Sequence, residues 1–212
     1  MNSVKLLLCL VAVVLAGCAG PAQKKDLSAF NTAAPRSILV VPAVNKSLDV
    51  DAPNYLLSTL TVPLAEKGFY VMPVNTTKFV LEQEGLYEGE QIHSQTPEAL
   101  AKLFDADSVL YITINRWDAK YAVITTTVTV ELDYRMVSRD GVEIWQAKQQ
   151  MQYSPESSNS GNPFVDLISS AIKAAIARAA PDYMPLARQA NMQVFVLGPN
   201  AIPNGPYRPV AK

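Results

Sequence analysis

From Ile124 to Met136 the chain alternates in period two. Ile124, Thr126, Val128, Val130, Leu132, Tyr134 and Met136 stand against Thr125, Thr127, Thr129, Glu131, Asp133 and Arg135. Successive side chains of a strand point to opposite faces. This pattern therefore requires a sheet with one buried and one wet face, as antiparallel pairing produces. Arg139-Asp140-Gly141 follows, and its Asp-Gly pair suits a two-residue hairpin turn with positive φ. Val142 to Tyr153 returns. Its apolar residues move from even positions (Val142, Ile144) to odd ones (Trp145, Ala147, Met151, Tyr153), which predicts a bulge near Ile144.

The segments before this hairpin alternate between strand and helix. Ser37 to Val44 is a β-branched run with Pro42 near its end. Asn54 to Lys67 has Tyr55, Leu56, Leu60 and Leu64 near one helical face; Pro63 kinks that helix or begins a second one, and Gly68 is placed to cap it. Phe69 to Val74 reads as a strand, and Thr76 to Leu86 as a helix. Thr96-Pro97-Glu98 opens another helix, with an N-cap, a proline at the first position and an acid in the first turn. Ser108 to Trp117 is a strand. After the hairpin come a polar loop from Ser154 to Asn162, an amphipathic helix from Phe164 to Ala180, and a short helix from Pro185 to Met192. The expected fold is one α/β domain over residues 36–198. It has a mixed sheet of about five strands, a βαβ start and the long antiparallel hairpin, flanked by helices. A length of 212 residues fits one such domain.

The N-terminus carries the strongest signal about location. Lys5 precedes an apolar run from Leu6 to Ala16, too short for a bilayer span of about 20 residues. Leu15-Ala16-Gly17-Cys18 follows. A charged start, a short apolar core and small residues read as a secretory signal peptide over residues 1–17. Small residues before a cysteine resemble the lipobox of bacterial lipoproteins. That resemblance implies cleavage before Cys18, with a diacylglycerol and an acyl chain on Cys18, and so a stable membrane anchor. Cys9 leaves with the signal peptide, so no disulfide or thiol nucleophile remains. Lys5 leaves as well and no acid does, so the formal charge of −1 becomes −2 in the mature chain. Ala19 follows the cysteine where an inner-membrane retention signal would have Asp, which points to the outer membrane, periplasmic face. Residues 18–35 read as a flexible tether. The tail, residues 199–212, holds Pro203, Pro206 and Pro209 at a spacing of three, as an extended polyproline strip does.

Near-neutral charge argues against nucleic acid, whose phosphates need clustered Lys and Arg. Phosphate-binding glycine loops and nucleophile-elbow motifs do not occur. His93, the single histidine, lies in a polar connection and reads as a surface residue. Glu82, Glu84, Glu88 and Glu90 read as a solvated helix end, and Asp49 and Asp51 lack the spacing of an EF-hand. Lys24-Lys25 reads as solvated linker, and Trp117 and Trp145 as sheet-packing residues. The chain is thus expected to carry no cofactor or metal and to be no enzyme.

Several stretches, as they stand here, resemble one family of Gram-negative lipoproteins that contains a genome-derived neisserial antigen. They are Ile38 to Ser47, Pro63-Leu-Ala-Glu-Lys-Gly-Phe-Tyr-Val-Met-Pro-Val74, Ala106 to Ile114, Gly141-Val-Glu-Ile-Trp145 and Gly205-Pro-Tyr207. The Gly-x-x-x-Trp hairpin is shared with CsgG-like and LpoB-like envelope lipoproteins. The resemblance implies a fold like the TolB N-terminal domain and a CsgG-like lipoprotein as genomic neighbour. It departs at Asp105, where a glycine is expected before Ala106-Asp107; Asp tolerates the left-handed conformation, so the turn can survive. The implied role is a non-catalytic interaction module of an envelope assembly, secretion or transport complex. An envelope hydrolase, a small-ligand binder and a regulator of peptidoglycan synthesis are the alternatives. Expected partners are the membrane, through the lipid on Cys18, and envelope proteins such as a CsgG-like lipoprotein; a homo-oligomer is open. The candidate contact is Pro203, Pro206, Tyr207 and Arg208, unless the tail packs back on its own domain.

Overall fold

The alternating segment lies second from one edge of a six-stranded mixed sheet. The computed structural model describes residues 25–121, 126–153, 183–199 and 201–208. The expected signal peptide, Cys18, the loop expected over residues 154–162 and the helix expected over residues 164–180 lie outside the described residues.

The strands are β1 (Ser37–Val40), β2 (Val44–Asn45), β3 (Tyr70–Val71), β4 (Ser108–Tyr121), β5 (Thr126–Ser138) and β6 (Glu143–Tyr153). Their order is β3-β1-β4-β5-β6, with β2 also on β4. The pairs made by β1 and β2 are parallel, and β4-β5-β6 is antiparallel. The helices are α1 (Ser28–Ala33), α2 (Ala52–Leu57), α3 (Thr61–Glu66), α4 (Val74–Gln83), α5 (Gly89–His93), α6 (Pro97–Phe104) and α7 (Met184–Met192). A π-helical turn, Gln193–Leu197, continues α7.

Two apolar cores sandwich the sheet. On one face Val128, Val130, Leu132, Tyr134 and Met136 of β5 pack with Ile38, Val40, Leu56 and Leu64, and with Leu186 and Phe195 of the last helix. On the other face Leu39, Val109, Tyr111 and Val137 meet Leu81, Ile92 and Leu100 of α4, α5 and α6. A buried polar chain crosses the first core: Tyr134 Oη donates to Asn191 Oδ1 (2.7 Å), Asn191 Nδ2 to Thr59 Oγ1 (2.8 Å), and Thr59 Oγ1 to the Leu56 carbonyl (2.6 Å). Each member has a partner, so the chain ties β5, α7 and the end of α2 together, and its hydrogen bonds offset the cost of burying these groups. Trp117 and Trp145 are both buried, as expected for sheet packing, and the Trp145 ring meets that of Phe195 at 5.7 Å, tilted by 34°.

The bulge falls where the phase change places it. Met136 pairs with Trp145 and Val137 with Glu143, leaving Ile144 as the extra residue. A second bulge, at Asn115 of β4, has no comparable signal in the sequence. The hairpin turn differs from the expected two-residue form. Gly141 N donates to the Ser138 carbonyl (3.0 Å) and Ser138 N to the Val142 carbonyl (2.8 Å), and Gly141 alone carries positive φ (+78°). This is a three-residue loop, a type I turn closed by a left-handed glycine. A Cβ on Gly141 would also lie 2.0 Å from Glu98 Oε1. Gly141→Val is expected to cost about 1–3 kcal/mol through backbone strain and displacement of Glu98. An unchanged urea midpoint would contradict this.

Other expected elements are shorter or shifted. The run from Ser37 to Val44 breaks at residues 41–43 into β1 and β2, because Pro42 has no N–H to give to a ladder. The helix over 54–67 is two helices, of which the second begins at Thr61 with Pro63 in its first turn. The strand over 69–74 is reduced to Tyr70–Val71, and Pro73 becomes the N-cap of α4. That helix stops at Gln83, before Leu86, in a Schellman cap: Gly85 has φ +79°, Leu86 N donates to the Leu81 carbonyl (2.9 Å) and Gly85 N to that of Glu82 (3.1 Å). At α6, Thr96 Oγ1 accepts from Ala99 N (3.3 Å), and Asp105 ends the helix at φ +49°, as the departure from glycine allows.

Residues 25–35, expected as tether, are folded onto the domain. Phe30 of α1 is 3% exposed and meets Phe69 edge-on at 6.1 Å, while Lys25 Nζ lies 4.8 Å over the ring of Trp145. A six-residue helix is not stable on its own, so burial of Phe30 holds it.

Candidate interaction surface

Three features stand out beyond the core: the C-terminal segment, a crevice at the ends of the parallel strands, and the surroundings of His93.

The C-terminal segment packs against the start of β3. Ile202 is 1% exposed. Gly205 N donates to the Lys67 carbonyl (2.8 Å) and Tyr207 N to the Gly68 carbonyl (3.0 Å). The two glycines make this approach possible. A Cβ on Gly205 would lie 2.3 Å from the Gly68 oxygen, and one on Gly68, which has φ +91°, would lie 2.3 Å from Arg208 N. Pro203 and Pro206 line a hollow of about 230 Å³ against Phe30, Asn31 and Ala34 of the α1 region. Pro206, Tyr207 and Arg208 remain exposed, Tyr207 at 59%, and the Arg208 guanidinium bonds to Asn204 Oδ1. Of the two expectations for the tail, packing back thus holds for the backbone of residues 202–207, while three of the four candidate contact residues face outward.

At the carboxyl ends of β1 and β3 the chain leaves to opposite faces of the sheet, to α2 and to α4. Open α/β sheets form ligand crevices at such places. A crevice of about 570 Å³ opens here, with Pro42, Pro53 and Leu57 as apolar wall and Asn54, Lys78 and Glu90 as polar groups. Lys78 Nζ donates to Asn54 Oδ1 (3.0 Å). At the rim, Asn45 organises the 45–51 loop: its Nδ2 donates to the Asp49 carbonyl (2.7 Å), and its Oδ1 accepts from Ser47 N (3.0 Å). Asp49 and Asp51 serve this loop, since Asp51 N donates to Asp49 Oδ1 (2.9 Å). Among the described residues no group of three or more His, Cys, Asp or Glu is placed to hold a metal ion.

His93 is half-buried, which corrects its reading as a surface residue. Its connection is a helix, α5, fixed by a capping box in which Glu88 and Gln91 each bond to the other's backbone. His93 Nε2 donates to the Pro42 carbonyl (3.1 Å), and its ring meets Tyr111 edge-on at 5.0 Å. Burial above all, with help from the Arg135 charge and against the Pro42 hydrogen bond, pushes its pKa down to about 4. The Arg135 guanidinium lies 4.5 Å over the Tyr111 ring. Burial pushes the Tyr111 phenol up to about 12, and its hydroxyl has no hydrogen-bond partner among the described residues. The capping box was legible as Glu88-x-x-Gln91; the acidic run around it masked the signal.

A further polar cluster explains the Ala106-Asp107 stretch. Asp107 Oδ2 accepts from Arg36 N (3.0 Å) and Ser37 N (3.1 Å), and Arg139 bridges Asp105 (3.1 Å) and Asp107 (3.6 Å). One carboxylate thus joins the starts of β1 and β4 to the hairpin turn.

A family model described as "Putative lipoprotein GNA1162-like" matches residues 25–207. The chain belongs to this family. The matched range takes in both α1 and the Gly205-Pro206-Tyr207 segment. A relative in Neisseria meningitidis serogroup B (strain ATCC BAA-335 / MC58), "Putative lipoprotein NMB1124/NMB1162", is 37% identical over 155 residues, 71% of this chain and 72% of the relative. The crystal structure of lipoprotein GNA1162 from Neisseria meningitidis matches with a TM-score of 0.57 at 34% identity, covering 68% of this chain and 99% of that one. The resemblance carried by the five quoted stretches therefore led to the right family, and the mixed α/β sheet is its fold.

Proposed function

We propose that this lipoprotein is held at the outer membrane through Cys18, faces the periplasm, and works by binding another envelope protein rather than by catalysis. The observation that carries the reading is the C-terminal segment. Its backbone is fixed to Lys67 and Gly68 while Pro206, Tyr207 and Arg208 face outward. A segment already ordered loses little entropy on docking. Aromatic and arginine side chains are the residue types that dominate interface energies. A CsgG-like lipoprotein or a second copy of the chain is the partner to look for, in a secretion, transport or peptidoglycan-synthesis assembly.

The test is a photo-reactive amino acid at Tyr207 in living cells, with Phe79 on α4 as the control position. The proposal expects one discrete envelope-protein adduct from position 207 and none from 79. Identical adduct patterns from both positions, or none from either, would count against it.

One observation favours a second reading. The crevice beside Lys78 has a volume within the range of small-molecule sites. A small polar ligand there would protect the 45–51 loop and α5 from hydrogen exchange, leaving the C-terminal segment unaffected.

A further inference from the structure

Lys67, at the end of α3, is a buried lysine whose charge has no counterion. It is 7% exposed, and its ammonium makes no hydrogen bond or ion pair among the described residues. Lysine is almost never buried this far unless it is paired. Burial first, and the Arg208 charge second, hold its pKa below the usual lysine range, and no acid acts against them. Glu66, next to it in the chain, is exposed and makes no ion pair among the described residues. The ammonium is not sealed in. The fully enclosed side-chain N and O atoms without a partner, among the described residues, are Tyr111 Oη and Trp117 Nε1. A covered stem with a reachable tip is the usual way for a long cationic side chain to be buried.

Arg208 stands beside Lys67. Its backbone packs on Gly68, where an added Cβ would come within 2.7 Å of Arg208 Cβ. Its side chain is exposed, and its guanidinium bonds through Nη1 to Asn204 Oδ1, with Nε and Nη2 unused among the described residues. Two cations are thus held together with no carboxylate between them. Asn204 also lines the hollow of about 230 Å³ between the C-terminal segment and α1, whose wall is Phe30, Ala34, Pro35, Pro203 and Pro206. An apolar recess therefore adjoins the guanidinium.

We propose that Lys67 and Arg208 receive a carboxylate of the protein partner, and that an apolar side chain next to that carboxylate enters the hollow beside Phe30, Pro203 and Pro206. This rests on the reading that the chain binds an envelope protein through its C-terminal segment, and it adds the partner's chemistry: an acidic peptide segment with a hydrophobic residue beside its Asp or Glu. Charge complementarity argues for this occupant. One carboxylate can accept from the ammonium and the guanidinium together and relieve their mutual repulsion. A membrane surface is the poorer match, since anionic headgroups are read by clusters of about 4–8 basic residues, and here there are two.

The test uses the full lipidated chain in living cells, with the photo-reactive amino acid at Tyr207. Lys67→Met keeps the covered stem and removes the charge. It should cut the yield of the protein adduct at least tenfold, while the urea midpoint of the purified full chain stays the same or rises, because an unpaired cation has been removed. Arg208→Gln should cut the yield likewise, and Arg208→Lys should restore much of it. Adduct yields indifferent to both charge removals would overturn the carboxylate site and leave the binding reading intact. No adduct from the parent chain would overturn both. A lower urea midpoint in Lys67→Met would show that the ammonium already serves the fold, and an adduct to lipid instead of protein would assign the cations to phosphate; either result overturns the proposal.

Discussion

Gly205→Val should cost about 3–5 kcal/mol and release the C-terminal segment. The added Cβ would meet the Gly68 carbonyl oxygen at 2.3 Å, and that oxygen is backbone, which cannot rotate away. Two hydrogen bonds would be lost, from Gly205 N and Tyr207 N, each contributing about 1 kcal/mol. Ile202, now 1% exposed, would lose much of its burial, a further loss of about 1.5–3 kcal/mol. Urea unfolding reads the loss directly. A midpoint shift equivalent to under about 1 kcal/mol would show that the segment adds little to the fold. Tyr207→Ala provides the complement. Tyr207 is 59% exposed, so this variant should keep its stability and no longer co-purify with the partner identified through the adduct at position 207.

Acid should weaken the fold through His93. An unfolded histidine takes up its proton near pH 6.5, but in the fold His93 does so only near 4. Between these values the unfolded chain binds more protons, so stability is fully present above the unfolded value and falls as the pH drops toward the folded one. Between neutral pH and about pH 4 the loss amounts to about 3 kcal/mol. The groups facing the ring do not rescue it: Arg135 is a cation, Tyr111 stays neutral, and the Pro42 carbonyl is already in use. Wild type and His93→Gln should therefore differ in how steeply stability falls across this range, with the variant flatter. Parallel profiles would mean that the ring is free to reach water when charged.

The parts of this fold that could be read from the sequence are those dictated by local periodicity or local capping. The β5 alternation, the phase change that puts a bulge at Ile144, and the Thr96-Pro97 helix start each have a cause within a few residues. Where the sequence misled, a distant partner decides. Ser37 to Val44 looks like one strand, yet Pro42 cannot donate to β4 and its carbonyl instead holds His93. Residues 25–35 lack any apolar period, and α1 exists because Phe30 finds the Phe69 ring across the chain. The C-terminal segment is decided by Gly68 and Gly205, far apart in sequence and in backbone contact in space. The proline spacing that suggested an extended strip carried no information about where it would lie. Asn115 has no signal of its own, because an extra residue in a long strand shows only against its partner's register.

The proposed membrane anchoring depends on Cys18. Mass spectrometry of the mature N-terminal peptide, isolated from membranes, tests it directly. The predicted peptide begins at Cys18 and carries a thioether-linked diacylglycerol and an N-linked acyl chain, and Cys18→Ala should leave the protein uncleaved at that site and free of lipid. A mature chain that begins elsewhere, or one that begins at an unmodified Cys18 and still stays with the membrane, would contradict the account.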